Sequence, residues 1–251
     1  MHGKIAIVTG GRRGLGRVVS ELFVTAGAKV HPVSSETFDV SDKLGAEEYI
    51  QEVVDEYGTI DILVNNAAIL GPVGPLETNS FFDWEETVYV NLLGPVNLCR
   101  IVVPIMKAQN SGKIINICGG GTTGSLPRRS AYAASKCGLA RFTECLADEL
   151  AGTGIYVNAV LPVPMDTDMM QEILNSGPEK LGPAEYREHI VRPKISPENA
   201  AKLVCYLASK DSDGITGRIL SARFDDFPFS AEWKRYIGKD AYKLRRVDKR
   251  I

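Results

Sequence analysis

Short apolar runs alternate along this chain with longer stretches in which apolar residues recur at helical spacing. The runs Lys4 to Thr9, Lys29 to Val33, Ile60 to Asn65, Gly112 to Ile117, Ile155 to Leu161 and Arg218 to Ala222 read as strands buried on both faces. Between them the helical period covers Gly14 to Thr25, Lys43 to Glu56, Asp83 to Gln109, Ala131 to Gly152 and Pro197 to Ala208. The last opens on Ser196-Pro197-Glu198, a capping serine with proline at the first helical position. Strands alternating with helices give an α/β class, a doubly wound and mostly parallel sheet of six to seven strands with helices on both faces. The seventh strand would be Phe38-Asp39-Val40. Only Ser34 to Thr37 separate it from the second strand, too few for a crossover helix, so this segment is a strand stub or an extended loop.

No internal repeat or linker interrupts the 251 residues, which are read as one domain. With 29 Lys and Arg against 31 Asp and Glu, nothing favours nucleic acid as a partner. No apolar run approaches the roughly 18 residues of a membrane span, and the first residues do not resemble an export signal. Five cysteines without a CxxC pair fit reduced thiols in the cytoplasm. His2, His31 and His189 are scattered, so metal-independent chemistry is expected.

Thr9-Gly10-Gly11-Arg12-Arg13-Gly14-Leu15-Gly16 follows the first strand and opens the first helix. Gly10, Gly14 and Gly16 let backbone N–H groups approach a pyrophosphate whose charge the helix N-terminus favours, with Leu15 on the first turn. At the end of the second strand, where a carboxylate would read the ribose of NAD, stand Ser34 and Ser35. With Arg12 and Arg13 in the turn, a 2′-phosphate can be held, which favours NADP(H) while Glu36 keeps NAD(H) open.

Tyr132-Ala133-Ala134-Ser135-Lys136 begins a helical run and sets tyrosine and lysine on one face, one turn apart. An adjacent ammonium favours the ionised phenol and makes proton exchange easier. TGGRRGLG, Asn65-Asn66-Ala67-Ala68, Asn91 and YAASK occur together in the order found in short-chain dehydrogenases/reductases, and the chain resembles that family over about residues 3 to 220. Asn91 precedes Tyr132 by 41 residues, similar to the family's separation.

The resemblance implies a Rossmann-type fold and an NAD(P)-dependent oxidoreductase of secondary alcohols and ketones. It implies that Tyr132 exchanges the substrate proton, that Lys136 holds the nicotinamide ribose and lowers the tyrosine's pKa, and that Asn91 anchors a relay water. Asp39 and Val40 look like the adenine contact, Asn65 and Ala67 like the stretch along the adenosine ribose, and Thr167 like the carboxamide contact. A homodimer or homotetramer is implied, formed through the helices Asp83 to Gln109 and Ala131 to Gly152.

The match fails at the family's catalytic serine, 13 residues before the tyrosine, where this chain has Gly119. Cys118, Thr122 and Thr123 are the polar candidates nearby. A thiol is a weak donor, and losing one donor to the reacting oxygen typically costs about 2–4 kcal/mol of transition-state stabilisation, which slows turnover without abolishing it. Ala68 and Val163 replace two glycines of the family pattern. Residues 166–194, with Gly177-Pro178 and Gly182-Pro183, read as a mobile lid over the substrate. Its Lys180, Arg187, Arg192 and Lys194 are offset by Glu172, Glu179, Glu185 and Glu188. Arg128 or Arg129 is expected to meet a carboxylate or phosphate of a small polar substrate, sugar-like or anionic. The tail 223–251 departs from the family and carries Lys234, Arg235, Lys239, Lys243, Arg245, Arg246, Lys249 and Arg250, either clamping an anion or solvated. Two other outcomes stay open: a dinucleotide-binding protein that has lost catalysis, and an epimerase without net redox change.

Overall fold

A computed structural model describes residues 1–162, 164–191, 195–223 and 243–244. The strands are β1 (Ile5–Thr9), β2 (Lys29–Val33), β3 (Ile62–Asn65), β4 (Gly112–Ile117), β5 (Ile155–Leu161) and β6 (Ile219–Ser221). They form one parallel sheet in the order β2-β1-β3-β4-β5-β6. Apolar residues fill both faces of the inner strands, since β1, β3 and β4 are buried throughout. Pro32 is tolerated because β2 is an edge strand, where one missing N–H breaks no ladder.

The helices are α1 (Gly14–Thr25), α2 (Lys43–Tyr57), α3 (Phe81–Val88), α4 (Gly94–Gln109), α5 (Ser130–Glu149), α6 (Asp168–Asn175), α7 (Gly177–Leu181), α8 (Pro183–Val191) and α9 (Glu198–Ala208). On one face Val19 and Phe23 of α1 pack with Leu203 and Leu207 of α9 against Val8 and Ile115. On the other, Ile50 of α2 and Leu98 and Val102 of α4 cover Ile7, Leu63 and Ile114. Chain order reverses direction across the sheet between β1 and β3, and a crevice at the carboxyl ends of such strands is where doubly wound folds bind ligands.

The expected elements fall within a few residues of those observed, with informative departures. Phe38 to Val40 form no strand. The chain turns there, with Thr37 and Phe38 N–H groups donating to the Ser34 carbonyl, and α2, capped by Asp42, makes the crossover to β3. No seventh strand occurs among the described residues. The expected helix Asp83 to Gln109 begins at Phe81, capped by Ser80, and contains a π-helical turn at Tyr89–Leu93. Phe81–Gln109 is thereby one helical run long and apolar enough to cross a membrane, contrary to the sequence reading, although part of it is buried, with Leu98, Val102 and Met106 in the core. The lid resolves into α6, α7 and α8, while its residues 192–194 lie outside the described residues. So do Val163 and, from Lys234 onward, all the tail's cations except Lys243.

Candidate functional site

The glycine-rich turn takes its shape from close backbone approaches. Gly10 and Gly14 have φ of 61° and 50°, the left-handed region that glycine enters without penalty. A side chain on Gly16 would run into the Gly10 carbonyl, and one on Gly11 would lie 2.8 Å from the Pro32 Cα. Two side chains beyond the sequence assignments brace this turn, Asn66 just past β3 and Thr9 at the end of β1. The Asn66 side chain donates to the carbonyls of Thr9 (2.8 Å) and Gly10 (3.2 Å). The Thr9 hydroxyl accepts the N–H groups of Asn66 (2.9 Å) and Ala67 (3.0 Å). The Asn-Asn-Ala signature was legible; which side chain reaches the turn was not. Asn65 instead points into the core and donates to Asn116 at 2.8 Å.

At the N-terminus of α1 no side chain caps the first turn, which leaves its N–H groups for an anion. Leu15 is buried beneath them. Arg12 is paired with Glu36 at 2.7 Å, Arg13 with Asp168 of α6 at 3.2 Å, and the Ser34 hydroxyl is buried without a partner. Thr167 caps α6, and its methyl group lies 3.6 Å from where a side chain on Gly14 would begin. Asp39 accepts the N–H and hydroxyl of Ser41, and Val40 is buried beside Gly94. These features fit a dinucleotide: a cradle that needs glycine, an orphaned hydroxyl at the end of β2 and cations on the turn.

The acid–base groups meet at the carboxyl ends of β4 and β5. Tyr132 and Lys136 share a face of α5, and the Lys136 ammonium lies 5.8 Å from the tyrosine ring centre. Lys136 is 1% exposed and donates to the Ile117 carbonyl at 2.8 Å. Burial lowers its pKa to about 8. The same cause pushes Tyr132 up to about 12, with Cys118 raising it further and Arg129 opposing. Desolvation of the phenol is the largest of these causes.

Asn91 lies in the π-helical turn, buried, donating to the Ile69 carbonyl (2.9 Å) and Ser135 hydroxyl (3.2 Å) and accepting the Ile69 N–H (2.9 Å). In a regular α-helix its carbonyl would be paired by the N–H of residue 95, which is proline and has none. Such turns are common at functional sites.

A side chain built on Gly119 would meet the Tyr132 hydroxyl, so the position 13 before the tyrosine is indeed the one beside the phenol. The candidate substitutes Cys118 and Thr122 have other partners. Cys118 is buried among Leu139, Ala140, Ala159 and Ile219, with its thiol directed to the Lys136 carbonyl at 3.7 Å. Its pKa is raised to about 11 by burial. Thr122 spends its hydroxyl on the Gly119 backbone, donating to the carbonyl at 2.7 Å and accepting the N–H at 3.2 Å, and Thr123 is exposed.

Over Tyr132 the lid presents Met169, Ile173, Leu181 and Tyr186, which pack with Leu70 and Val73. Arg128 donates to the carbonyls of Glu179 and Lys180, and Arg129 is paired with Glu185. On the other side of α5, Leu244 packs against the Cys118 cluster and Lys243 lies 3.7 Å from Asp148, so this part of the tail docks on the helix that carries Tyr132.

Comparison with known proteins agrees with this arrangement. The family model described as enoyl-(acyl carrier protein) reductase matches residues 4–222. The 3-oxoacyl-[acyl-carrier-protein] reductase of Thermotoga maritima is 32% identical over 241 residues, covering 88% of this chain and 96% of its own. Levodione reductase superposes with a TM-score of 0.80 at 26% identity, covering 88% of this chain and 96% of its own. An actinorhodin polyketide ketoreductase with NADPH gives 0.79 at 26% identity, covering 88% and 97%. The chain therefore belongs to the short-chain dehydrogenases/reductases and is an NAD(P)-dependent oxidoreductase of alcohols and ketones.

Proposed function

We propose that this enzyme interconverts a secondary alcohol and a ketone on a small polar substrate, with NADP(H) as its preferred dinucleotide. The observation that carries the reading is the convergence of Tyr132, Lys136 and the Asn91 turn at the strand ends beside the glycine cradle. The dinucleotide supplies or accepts the hydride. Tyr132, held protonated by its high pKa, gives its proton to the substrate oxygen during reduction. Lys136, whose pKa near 8 makes it a proton reservoir at neutral pH, resupplies the phenol with the Asn91 carbonyl holding the intervening water. With Gly119 in place of the serine, the substrate oxygen has one donor fewer, so the expected turnover is slow.

Arg12, Arg13 and the unpaired Ser34 hydroxyl support the preference for a 2′-phosphate. An exposed pair such as Arg12–Glu36 is worth about 0–1 kcal/mol, so a phosphate can displace the carboxylate. Titrating the protein with NADPH and NADH, followed by nicotinamide fluorescence, tests this. NADPH should bind tighter and lose that advantage in Arg12→Ala and Arg13→Ala; tighter NADH binding would overturn it. A homodimer or homotetramer in the cytoplasm belongs to the same reading. Exposed Phe81, Phe82, Tyr89 and Leu93 on the α3–α4 run support self-association, which light scattering would measure.

A further inference from the structure

Arg129 immediately precedes α5 and is 4% exposed. It lies close enough to Tyr132 for the guanidinium to lower the phenol's pKa. Its Nη2 is paired with the Glu185 carboxylate of α8, while its Nε, also buried, has no partner. Nε and Nη2 are the two donors of one edge of the planar guanidinium, the edge that a carboxylate grips with both oxygens. Glu185 fills only half of it. A buried donor left unpaired is costly, and one planar anion would satisfy both. Tyr132 packs in an apolar cluster with Leu70 and Val73 and with Ile173, Leu181 and Tyr186 of α6, α7 and α8. Arg128 spends its Nη1 on the end of α7 and, unlike Arg129, is not among the described residues with a buried, unpartnered side-chain nitrogen.

We propose that Arg129 is the receptor for a substrate carboxylate, and that Glu185 is an internal stand-in which yields that edge when the substrate enters. This rests on the alcohol–ketone reading and narrows its substrate to an oxoacid and the corresponding hydroxyacid with a short apolar body. The carbonyl would meet Tyr132 and the carboxylate the Nε–Nη2 edge. A sugar would find few polar partners among the lid residues. On release, Glu185 keeps a neighbour in His189, whose Nε2 already lies 3.7 Å from its carboxylate.

The test uses acetoacetate and its ethyl ester, which share a ketone and differ in the charged end. Each is titrated into the protein saturated with NADPH, following nicotinamide fluorescence for binding and NADPH oxidation for turnover. Acetoacetate should bind tighter than the ester. Arg129→Met should cut the acid-over-ester ratio in affinity by about ten- to a hundredfold, the range expected for hydrogen bonds to a charged group. Glu185→Gln should raise acetoacetate affinity severalfold and leave the ester's affinity where it was, because it removes the competing charge. Should Arg129→Met fail to fold, Glu185→Gln decides alone. A wild-type preference for the ester, no binding of acetoacetate, or equal effects on acid and ester would overturn the proposal. Failure of the underlying reading looks different: NADPH stays unoxidised by either ketone, whatever the binding titration reports.

Discussion

At the β1 end of the crevice, shape is set largely by backbone: glycines at positive φ, a carbonyl that excludes a side chain from Gly16, and the Thr9 hydroxyl and Asn66 side-chain amide that tie the turn to the end of β3. At the lid end it is set by charged side chains, with Arg129 reaching Glu185 and Arg128 reaching the carbonyls of residues 179 and 180. Backbone approaches tolerate almost no substitution and suit a ligand that never varies, the dinucleotide. Side-chain pairs can be exchanged for a ligand's own groups at little backbone cost. The acid–base pair stands where the two meet.

The sharpest way to break this comparison is to remove the reacting hydroxyl. Tyr132→Phe should lower kcat by about 10²–10⁴-fold, the range of general acid–base catalysis, while NADPH binding by fluorescence stays near wild type. Loss of binding as well would mean that Tyr132 belongs to the cradle. Next in size is Gly16→Ala, whose methyl group has no room beside the Gly10 carbonyl. The turn must open, at about 1–3 kcal/mol for an overpacked site, and NADPH affinity should fall at least tenfold in the same titration.

The lysine sharpens the comparison through pH. Its folded pKa lies below the ordinary lysine value, so Lys136 carries its proton below about pH 8 and loses it above. Reduction consumes a proton, so its kcat should decline as pH rises through about 8, and oxidation should show the opposite trend. Tyr132, at about 12, adds no second transition in this range. A flat profile in both directions between about pH 7 and 9 would remove Lys136 from the relay. The smallest effect is expected from Thr122→Val, which strips the brace from Gly119. Losing hydrogen bonds of this kind costs about 0.5–1.5 kcal/mol each, which thermal unfolding would read as a small drop in Tm with kcat reduced only severalfold.

Much of this was legible in the chain because it is local. Strand runs, helix periods, the glycine turn and the four-residue spacing of Tyr132 and Lys136 depend on neighbours in sequence, and each was found within a few residues of where it stands. The π-helical turn was missed because apolar periodicity does not register one extra residue in a helix. A proline at 95, facing a carbonyl four residues back, was the available signal. For Cys118 the chain offered only proximity to Gly119; that its thiol faces the Lys136 carbonyl is a contact across 18 residues that sequence does not display.

The sequence by itself determined the parallel sheet, the dinucleotide turn and the family's acid–base residues, since these follow from short-range sterics and from motifs whose spacing is their meaning. Only the tertiary structure decided that Arg129 is buried with one nitrogen unpartnered while Arg128 holds the end of α7, that Asn66 rather than Asn65 braces the turn, and that Leu244 docks behind the helix that carries Tyr132. Those contacts join residues far apart in the chain. Charge or polarity alone names no partner until folding brings one within hydrogen-bonding distance.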